Sequence, residues 1–350
     1  MNGELAKLTT YFGERDRSGG ELLADELFAL YGREGVQLSA MLRGIEGFGH
    51  HHSAHTDLLL TLSEDLPVVS VAVDTAERIE ALMPQVLGLN RRGLVTLERA
   101  RPLGGPLRGE PGSLLPVLPE DLREQAKLTV FLGRRQRAAG RPAFVTACEL
   151  LHRNGVHGAT VLLGVDGTRA GSRTRARLLG GNFDVPMLVV CVGPGEAIAR
   201  AAAELDSTLG QPMSTLERVQ VLRRDGRRLA ALEALVPVLE HDSVWAQKLT
   251  VHSSEDDRVD GHPLHRVLVQ RLRHERLAGA TTLRGIYGFQ DDQPPRGDRF
   301  WQARRHAPMM TIAVDTHARI AEVFGIVEEV TSESGLVTVE SVPVRVLPGA

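Results

Sequence analysis

The chain alternates short β-branched runs with stretches of helical spacing, and the same succession occurs three times. Each copy opens on a Lys-Leu-Thr tripeptide, at Lys7, Lys127 and Lys248. Each copy ends on a strand-like run that closes at a glutamate, namely Glu98, Glu217 and Glu340. Self-similarity at a fixed period indicates repeated structural units. The sequence therefore predicts three homologous domains and two connectors: domains 1–103, 126–222 and 247–347, and connectors 104–125 and 223–246.

The spacing within one copy predicts the order β-α-β-β-α-β. The expected elements of the first copy are strands over 5–12, 36–43, 67–73 and 94–99, a loop over 44–65, and helices over 19–34 and 74–87. Leu23, Leu27 and Leu30 fall on one side of the first helix, and Gly35 ends it. This order is typical of an α+β, ferredoxin-like domain with an antiparallel four-stranded sheet and both helices on one face.

The second face of each sheet is too apolar to lie in water. Val68, Val69, Val71 and Val73 follow one another in one strand, so both of its faces carry valine. Another sheet of the same kind is the simplest cover, and the chain holds three such sheets. We therefore expect an intramolecular pseudo-trimer, with three independent beads on a string as the alternative.

Composition narrows the functional classes. With 41 basic and 44 acidic residues the net charge is -3, which disfavours nucleic-acid binding. We find neither an apolar run of the ~18–20 residues that a membrane span needs nor the layout of a signal peptide, and we expect a cytoplasmic, monomeric protein without membrane insertion. Cys148 and Cys191 align with apolar residues of the other copies, so we expect both in the core.

The segment 42–49, Leu-Arg-Gly-Ile-Glu-Gly-Phe-Gly, is followed by His55-Thr56 and by the run 62–68, Leu-Ser-Glu-Asp-Leu-Pro-Val. With these motifs each copy resembles the bacterial family called domain of unknown function 190, the second copy more weakly. The resemblance implies PII-like signalling units, which form trimers and often bind nucleotides between subunits. It implies ATP, ADP or AMP as an effector, and long loops that regulate a partner such as a membrane transporter or channel.

The base of the long loop is the candidate site for a small anionic ligand. Glycines let backbone N–H groups approach an anion, and an arginine offers a forked donor for phosphate. The candidate ligand-binding residues are Arg43, Gly44, Gly47, Phe48, Gly49, His55, Arg91, Arg92, Arg284, Gly285, Gly288 and Phe289. Arg91 and Arg92 stand where PII proteins have a phosphate-binding loop. Simple turn chemistry remains open for the glycines, and ordinary surface exposure for the arginines.

The second copy departs from this pattern, because Leu163 replaces the arginine and Arg169, Arg173, Arg175 and Arg177 follow in its loop. We therefore expect unequal clefts, with the second copy as a scaffold. The histidines at 50, 51, 52 and 55 suggest an alternative: a metal-binding loop in which His50, His52 and His55 are the candidate ligands. A structural protein with decayed ligand sites is a further alternative. No catalytic motif is found, so we do not expect an enzyme.

Overall fold

The computed structural model describes residues 5–49, 55–56, 65–91, 93–102, 124–175, 184–232, 244–290, 293–297 and 306–346. The elements of repeat 1 are β1 (Leu5–Gly13), β2 (Arg17–Ser18), β3 (Glu21–Leu22), α1 (Leu23–Arg33), β4 (Leu38–Arg43), β5 (Glu46–Phe48), β6 (His55–Thr56), β7 (Pro67–Thr75), α2 (Ala76–Leu89) and β8 (Leu94–Pro102).

The elements of repeat 2 are β9 (Gln125–Gly133), β10 (Arg137–Ala138), β11 (Arg141–Pro142), α3 (Ala143–Arg153), β12 (Gly158–Leu163), β13 (Asp166–Arg169), β14 (Ser172–Arg175), β15 (Pro186–Pro194), α4 (Gly195–Leu209), β16 (Ser214–Arg218), β17 (Gln220–Arg224) and β18 (Arg227–Arg228). Those of repeat 3 are β19 (Val244–Ser254), β20 (Arg258–Val259), β21 (His262–Pro263), α5 (Leu264–His274), β22 (Ala280–Arg284), β23 (Tyr287–Gln290), β24 (Arg296–Gly297), β25 (Pro308–Asp315), α6 (His317–Val330) and β26 (Leu336–Val346).

Each repeat is a ferredoxin-like domain, as expected. In repeat 1 the antiparallel order is β4-β7-β1-β8, and repeats 2 and 3 keep the same order. The first helix is shorter than expected, because it starts at Leu23. Gly19 and Gly20 take positive φ angles of 62° and 96° and turn the chain between β2 and β3, so the segment before Leu23 is a small hairpin.

The two faces of each sheet pack against different partners. In repeat 1, Val68 and Ala72 lie in a core beneath α1 and α2, whereas Val69 and Val71 point the other way. These second faces form one axial core that all three repeats share, with Leu188 and Val190 from repeat 2 and Met310, Ile312 and Val314 from repeat 3. The predicted pseudo-trimer is confirmed, since the apolar second faces of the three sheets cover one another.

Short strands cross between repeats and join the sheets. β5 of repeat 1 pairs with β22 of repeat 3, β23 of repeat 3 pairs with β12 of repeat 2, and β13 of repeat 2 pairs with β4 of repeat 1. We call β5, β13 and β23 the crossing strands. All three lie within loops of the sequence-based prediction, because their pairing partner belongs to another repeat and leaves no local signal.

The strands at the end of each repeat also pair with a neighbouring repeat, but in the opposite cyclic order. The end of β8 pairs with β16, β17 pairs with β26, and the end of β26 pairs with β8. The hairpin of β17 and β18 extends into the predicted connector 223–246. The principal strands of all three repeats thus belong to one sheet of 20 strands.

Glycines at the crossing points allow the backbones to approach closely. A Cβ atom on Gly47 would lie 2.5 Å from the Ala280 carbonyl oxygen, and one on Gly288 would lie 2.1 Å from that of Ala159. Gly167 occupies the equivalent place in repeat 2, where a Cβ atom would lie 2.6 Å from the Ser39 carbonyl oxygen. Real side chains do not fit at these distances, so the crossing strands depend on glycine.

We therefore predict that Gly47→Ala lowers the free energy of unfolding by about 1–3 kcal/mol, because the added methyl group forces β5 away from β22. Gly49→Ala is the matched control, since a Cβ atom there would meet nothing within 4 Å. Denaturant unfolding of both variants gives the comparison. Equal stability of the two variants would contradict a close approach at Gly47.

Candidate functional site

Six oppositely charged side chains meet at the centre of the molecule. They are the three opening lysines and the three closing glutamates, which we call the charge ring: Lys7, Lys127, Lys248, Glu98, Glu217 and Glu340. Within each repeat, the lysine and the glutamate are direct cross-strand neighbours. Every side chain of the ring is at most 8% exposed. Burial this deep requires each charge to be compensated by its neighbours.

The hydrogen bonds of the ring run from one repeat to the next. The lysine Nζ atoms donate from Lys7 to both oxygens of Glu217 at 2.7 and 2.6 Å, from Lys127 to Glu340, and from Lys248 to both oxygens of Glu98 at 3.0 and 3.1 Å. The ring also contains ion pairs inside a repeat, with 2.5 Å between Lys7 and Glu98 and 2.5 Å between Lys127 and Glu217. The cycle closes only when all three repeats are in place.

Burial and the neighbouring opposite charges shift the pKa values of ring residues in opposite directions. Burial alone would raise the pKa of Glu98, but Lys248, Lys7 and Lys127 hold it well below its usual range. The pKa of Glu217 is likewise lowered, since the lysines outweigh burial and the neighbouring Glu98. Burial opposes the charged form of Lys127, yet the three glutamates keep its pKa well above the ordinary value. These shifts favour the charged forms of Glu98, Glu217 and Lys127 at neutral pH.

A large pocket opens where repeat 3 meets the surface, and we call it the repeat-3 pocket. Its volume is about 840 Å³. One wall is the turn after β19, which contributes Glu255, Asp256, Asp257 and Arg258. The other wall comes from the crossing strand β23 and the residues on either side of the long loop, namely Gly288, Phe289, Gln290, Gln293, Arg296 and His306.

The acidic residues of this pocket each have a polar neighbour. Glu255 pairs with Arg284 at 2.9 Å, and His306 Nδ1 contacts a carboxylate oxygen of Asp256. Burial raises the pKa of Asp257, and its carboxylate accepts the Ser254 N–H at 2.7 Å. Arg258 and Arg296 contribute exposed guanidinium groups to the same lining.

The two arginines expected to contact phosphate form ion pairs on equivalent turns. Arg43 Nη2 lies 2.8 Å from Glu14 Oε2, and Arg284 Nη2 lies 2.9 Å from Glu255 Oε2. Repeat 2 loses both members of this pair together, since Leu163 and Arg134 stand at the two positions. An anion at Arg43 or Arg284 would have to compete with a glutamate.

The glycines at the base of the loop use their N–H groups within the fold. The N–H of Gly44 donates to the Pro67 carbonyl at 2.8 Å, and that of Gly285 donates to the Pro308 carbonyl at 2.7 Å. Cβ atoms at these glycines would collide with the same prolines. With Gly47 and Gly288 in crossing strands, four of the expected anion-binding glycines have a structural explanation. Gly49 is exposed, and a Cβ atom on it would meet none of the described residues within 4 Å.

The two expected phenylalanines pack into neighbouring repeats. Phe48 belongs to the core of repeat 3, and Phe289 belongs to the core of repeat 2, where it contacts the His152 ring edge-on at 5.0 Å between centroids. Phe289 also forms part of the repeat-3 pocket. Phe289 is only 5% exposed, so its first role is to anchor β23 in repeat 2.

The remaining predicted residues lie apart from the repeat-3 pocket or outside the described residues. Arg91 is exposed and its Nε donates to the Gly88 carbonyl at 3.3 Å, while Arg92 is outside the described residues. Only the backbone of His55 is described, paired with Gly47. His50, His51 and His52 lie outside the described residues, so the histidine-loop prediction stays a prediction.

A charged hairpin of repeat 2, formed by β13 and β14, lies at the seam between repeats 1 and 2. Arg173 of β14 contacts Asp166 and also bridges to Asp25 of α1 at 2.9 Å, and Arg175 reaches the same Asp25 oxygen at 2.9 Å. The Arg173 guanidinium also lies 5.8 Å from the centre of the Phe28 ring. The arginines that set repeat 2 apart in the sequence thus fasten it to repeat 1, whereas Arg177 is outside the described residues.

The charge ring is absent from the sequence-based predictions, although the sequence carries a signal for it. One lysine and one glutamate recur at the same place in all three copies, inside strands whose neighbours are largely apolar. A charge that persists in such a setting indicates a buried pair. The lysine and its glutamate are about 90 residues apart, so only the strand register shows that they meet.

Three ferredoxin-like repeats around a shared axial core define a PII-like architecture carried by a single chain. A family model agrees: DUF190, described as "Uncharacterized ACR, COG1993", matches residues 5–102, 125–221 and 246–344. The chain belongs to this family, and the resemblance seen in the sequence is confirmed. The family is PII-like and its function is unknown.

Curated relatives are about one repeat long. The chain is 30% identical to a UPF0166 protein of Aquifex aeolicus over 97 residues, which cover 27% of this chain and 90% of the relative. It is 31% identical to UPF0166 protein MJ1524 of Methanocaldococcus jannaschii over 91 residues, which cover 26% of this chain and 83% of the relative. Within the described part of the chain, every helix is too short or too polar to cross a bilayer.

The charge ring predicts a specific acid sensitivity. Because Glu98 and Glu217 have lowered pKa values in the folded state, the ring contributes stability above the unfolded glutamate pKa of about 4.3. This stability is lost as pH falls through the lower folded values. We expect Glu217→Gln to reduce the unfolding midpoint at pH 7 and to flatten its fall below about pH 4.3.

Glu149→Gln is the matched control, because Glu149 forms an exposed ion pair with Arg141. Thermal unfolding between pH 7 and pH 2.5 separates the two cases. If Glu217→Gln and the native chain lost stability in parallel over this range, the ring would not be the source of the acid sensitivity.

Proposed function

We propose that this protein is a PII-like sensor that binds a small anionic ligand in the repeat-3 pocket. The volume of about 840 Å³ carries the proposal, because it lies within the ~300–1,000 Å³ of typical small-molecule sites. The pocket is framed by a crossing strand and a hydrogen-bonded turn, so its walls are fixed before a ligand arrives. Preformed walls reduce the ordering cost of binding.

Two exposed guanidinium groups of the lining supply donors for an anion. The acidic groups are paired or hydrogen-bonded, and the exposed Arg258 and Arg296 offer guanidinium donors that suit phosphate. Arg258 uses Nη1 for the carbonyls of Glu255 and Asp257, at 2.6 and 3.2 Å, which fixes the side chain over the turn. The amides of Gln290 and Gln293 add neutral donors that can orient a base or a sugar.

The pocket also suits a signalling role. Arg296 and His306 line it on the two sides of segment 298–305, so a bound anion would contact both sides of the loop that the sequence predicts there. We propose that this loop transmits occupancy to a protein partner, with a membrane transporter or channel as the candidate that the PII-like family suggests. Adenine nucleotides are the first ligands to test for the same reason.

A structural role is the second candidate for repeat 2 in particular. At the seam between repeats 1 and 2, Arg173 forms ion pairs with Asp166 and with Asp25. This arginine is therefore already bound to carboxylates. On this reading, repeat 2 holds the assembly together while repeat 3 binds the ligand.

Titration with ATP, ADP and AMP, followed by calorimetry and thermal unfolding, tests the proposal. We expect at least one nucleotide to raise stability by ~2.7 kcal/mol at 100 times its dissociation constant. Replacement of a guanidinium that hydrogen-bonds a phosphate costs roughly 1.5–3 kcal/mol, so Arg296→Ala and Arg258→Ala should each weaken binding about tenfold or more.

Arg137→Ala is the matched control. Arg137 is the repeat-2 counterpart of Arg258, is exposed on the equivalent turn, and donates to the Gly140 carbonyl at 3.1 Å. It does not line the repeat-3 pocket, so its loss should leave affinity unchanged. If none of the three nucleotides bound, or if all three arginine variants behaved alike, the proposed site would be wrong.

A further inference from the structure

A histidine and a carboxylate meet in the lining of the repeat-3 pocket. Asp256 lies in the turn after β19, and His306 lies just before β25. Their side chains are 37% and 38% exposed, so both remain accessible to water. His306 Nδ1 contacts Asp256 Oδ2, and this oxygen is buried with no other hydrogen-bond partner among the described residues. The contact is favourable only with a proton on Nδ1, because a bare Nδ1 would turn its lone pair toward the carboxylate.

Repeats 1 and 2 have a different pair of residues at this place. In repeat 1, Arg15 stands in place of Asp256 and Asp65 in place of His306, and repeat 2 has the same two residue types. The Asp65 carboxylate accepts the Arg15 N–H at 2.6 Å, and the equivalent bond of repeat 2 measures 3.1 Å. Arginine and aspartate keep their charges near neutral pH, whereas histidine changes charge between about pH 5 and pH 8. Among the three repeats, only repeat 3 therefore has a proton-sensitive group here.

The charge of the pocket depends on this histidine. The lining holds three carboxylates and two guanidinium groups, namely those of Glu255, Asp256, Asp257, Arg258 and Arg296. Two further charges flank the lining: Arg284 pairs with Glu255 at 2.9 Å, and Asp225 adds negative charge beside Asp257 from the turn between β17 and β18. The flanking charges are opposite in sign, so carboxylates remain in excess while His306 is neutral. A proton on His306 makes the two signs equal.

We propose that protonation of His306 converts the repeat-3 pocket from a weak to a strong anion site, so that anion binding takes up a proton. This inference rests on the proposed function and adds its regulation. While His306 is neutral, the charge of Asp256 repels an anionic ligand. The imidazolium cancels that charge from a position in direct contact with it. Thermodynamic linkage requires the converse, namely that a bound anion favours the protonated ring.

Calorimetric titration of the full chain with ATP, ADP and AMP at about pH 5.5 and pH 8 tests the inference. His306→Gln stays neutral at both values. We expect the ratio of affinities between the two pH values to be about tenfold larger for the native chain than for this variant. The titration of the nucleotide itself acts on both chains alike and cancels in the comparison. His274→Gln is the matched control and should keep the native ratio, because His274 is exposed at the end of α5 and does not line the pocket.

A second variant tests the electrostatic cause. Asp256→Asn removes the charge that the proton cancels, so at pH 8 it should bind the same nucleotide about tenfold more tightly than the native chain. A contact with a purely structural role predicts the opposite sign, since either substitution breaks it and both would weaken binding. Titration in buffers of different ionisation enthalpy adds a direct readout: near pH 7 the native chain should take up more protons on binding than His306→Gln.

The outcomes distinguish this inference from the proposed function. If no nucleotide bound the native chain at either pH, the proposed function would be wrong and this inference with it. If a nucleotide bound, but the native chain and His306→Gln gave the same ratio of affinities, only the regulation by His306 would be overturned. Weaker binding of Asp256→Asn at pH 8 would also overturn it, because the carboxylate would then support the ligand rather than repel it.

Discussion

Three lysines and three glutamates lie buried where the repeats meet, and every lysine donates a hydrogen bond to a glutamate of a neighbouring repeat. Moving a single charge of this kind out of water costs several kcal/mol. The cost is offset only in the closed cycle, in which each lysine donates to the glutamate of the next repeat. A chain with two repeats docked and one detached would leave two ring positions without their partners. The ring thus favours the arrangement in which all three domains are docked.

The ring defines the arrangement, and the apolar surface around it supplies the driving force. Buried ion pairs are weak net stabilisers compared with well-packed hydrophobic residues, whereas the axial core removes the second face of every sheet from water. The crossing strands then fix the register, because Gly47, Gly167 and Gly288 allow approach distances that no other residue permits. Hydrophobic burial, charge pairing and strand exchange therefore select the same arrangement.

The internal repetition made most of the fold predictable. The order of elements, the three domains and the buried second face of the sheets all follow from the apolar pattern, since Val69 and Val71 needed a cover that the chain itself contained. The crossing strands were not predictable, because Gly47 pairs with Thr281 of another repeat and carries no local strand signal. The same reason affected the site: Gly47 and Phe48 resemble a ligand-binding loop in the sequence, yet their places are set by contacts between repeats. Arg258 and Arg296 stand out only once the pocket is seen.

Joining three copies in one chain frees each copy to diverge. Repeat 2 replaces an arginine with Leu163 and fastens a hairpin to repeat 1 through Arg173, whereas repeat 3 keeps an open pocket. The residues of the charge ring have not diverged in any copy. The contrast is expected if assembly requires all six ring residues, whereas function does not require every surface cleft.

Exchange of the two ring residues within one repeat tests this account most directly. The double variant Lys7→Glu with Glu98→Lys keeps the pair inside repeat 1 and the net charge, but places like charges against Glu217 and Lys248. The account predicts a loss of about 3–5 kcal/mol of unfolding free energy, with an increased radius of gyration by solution scattering. The same exchange at the exposed pair of Arg141 and Glu149 should leave both quantities unchanged. A ring-exchanged chain as stable and compact as the native protein would contradict the central claim.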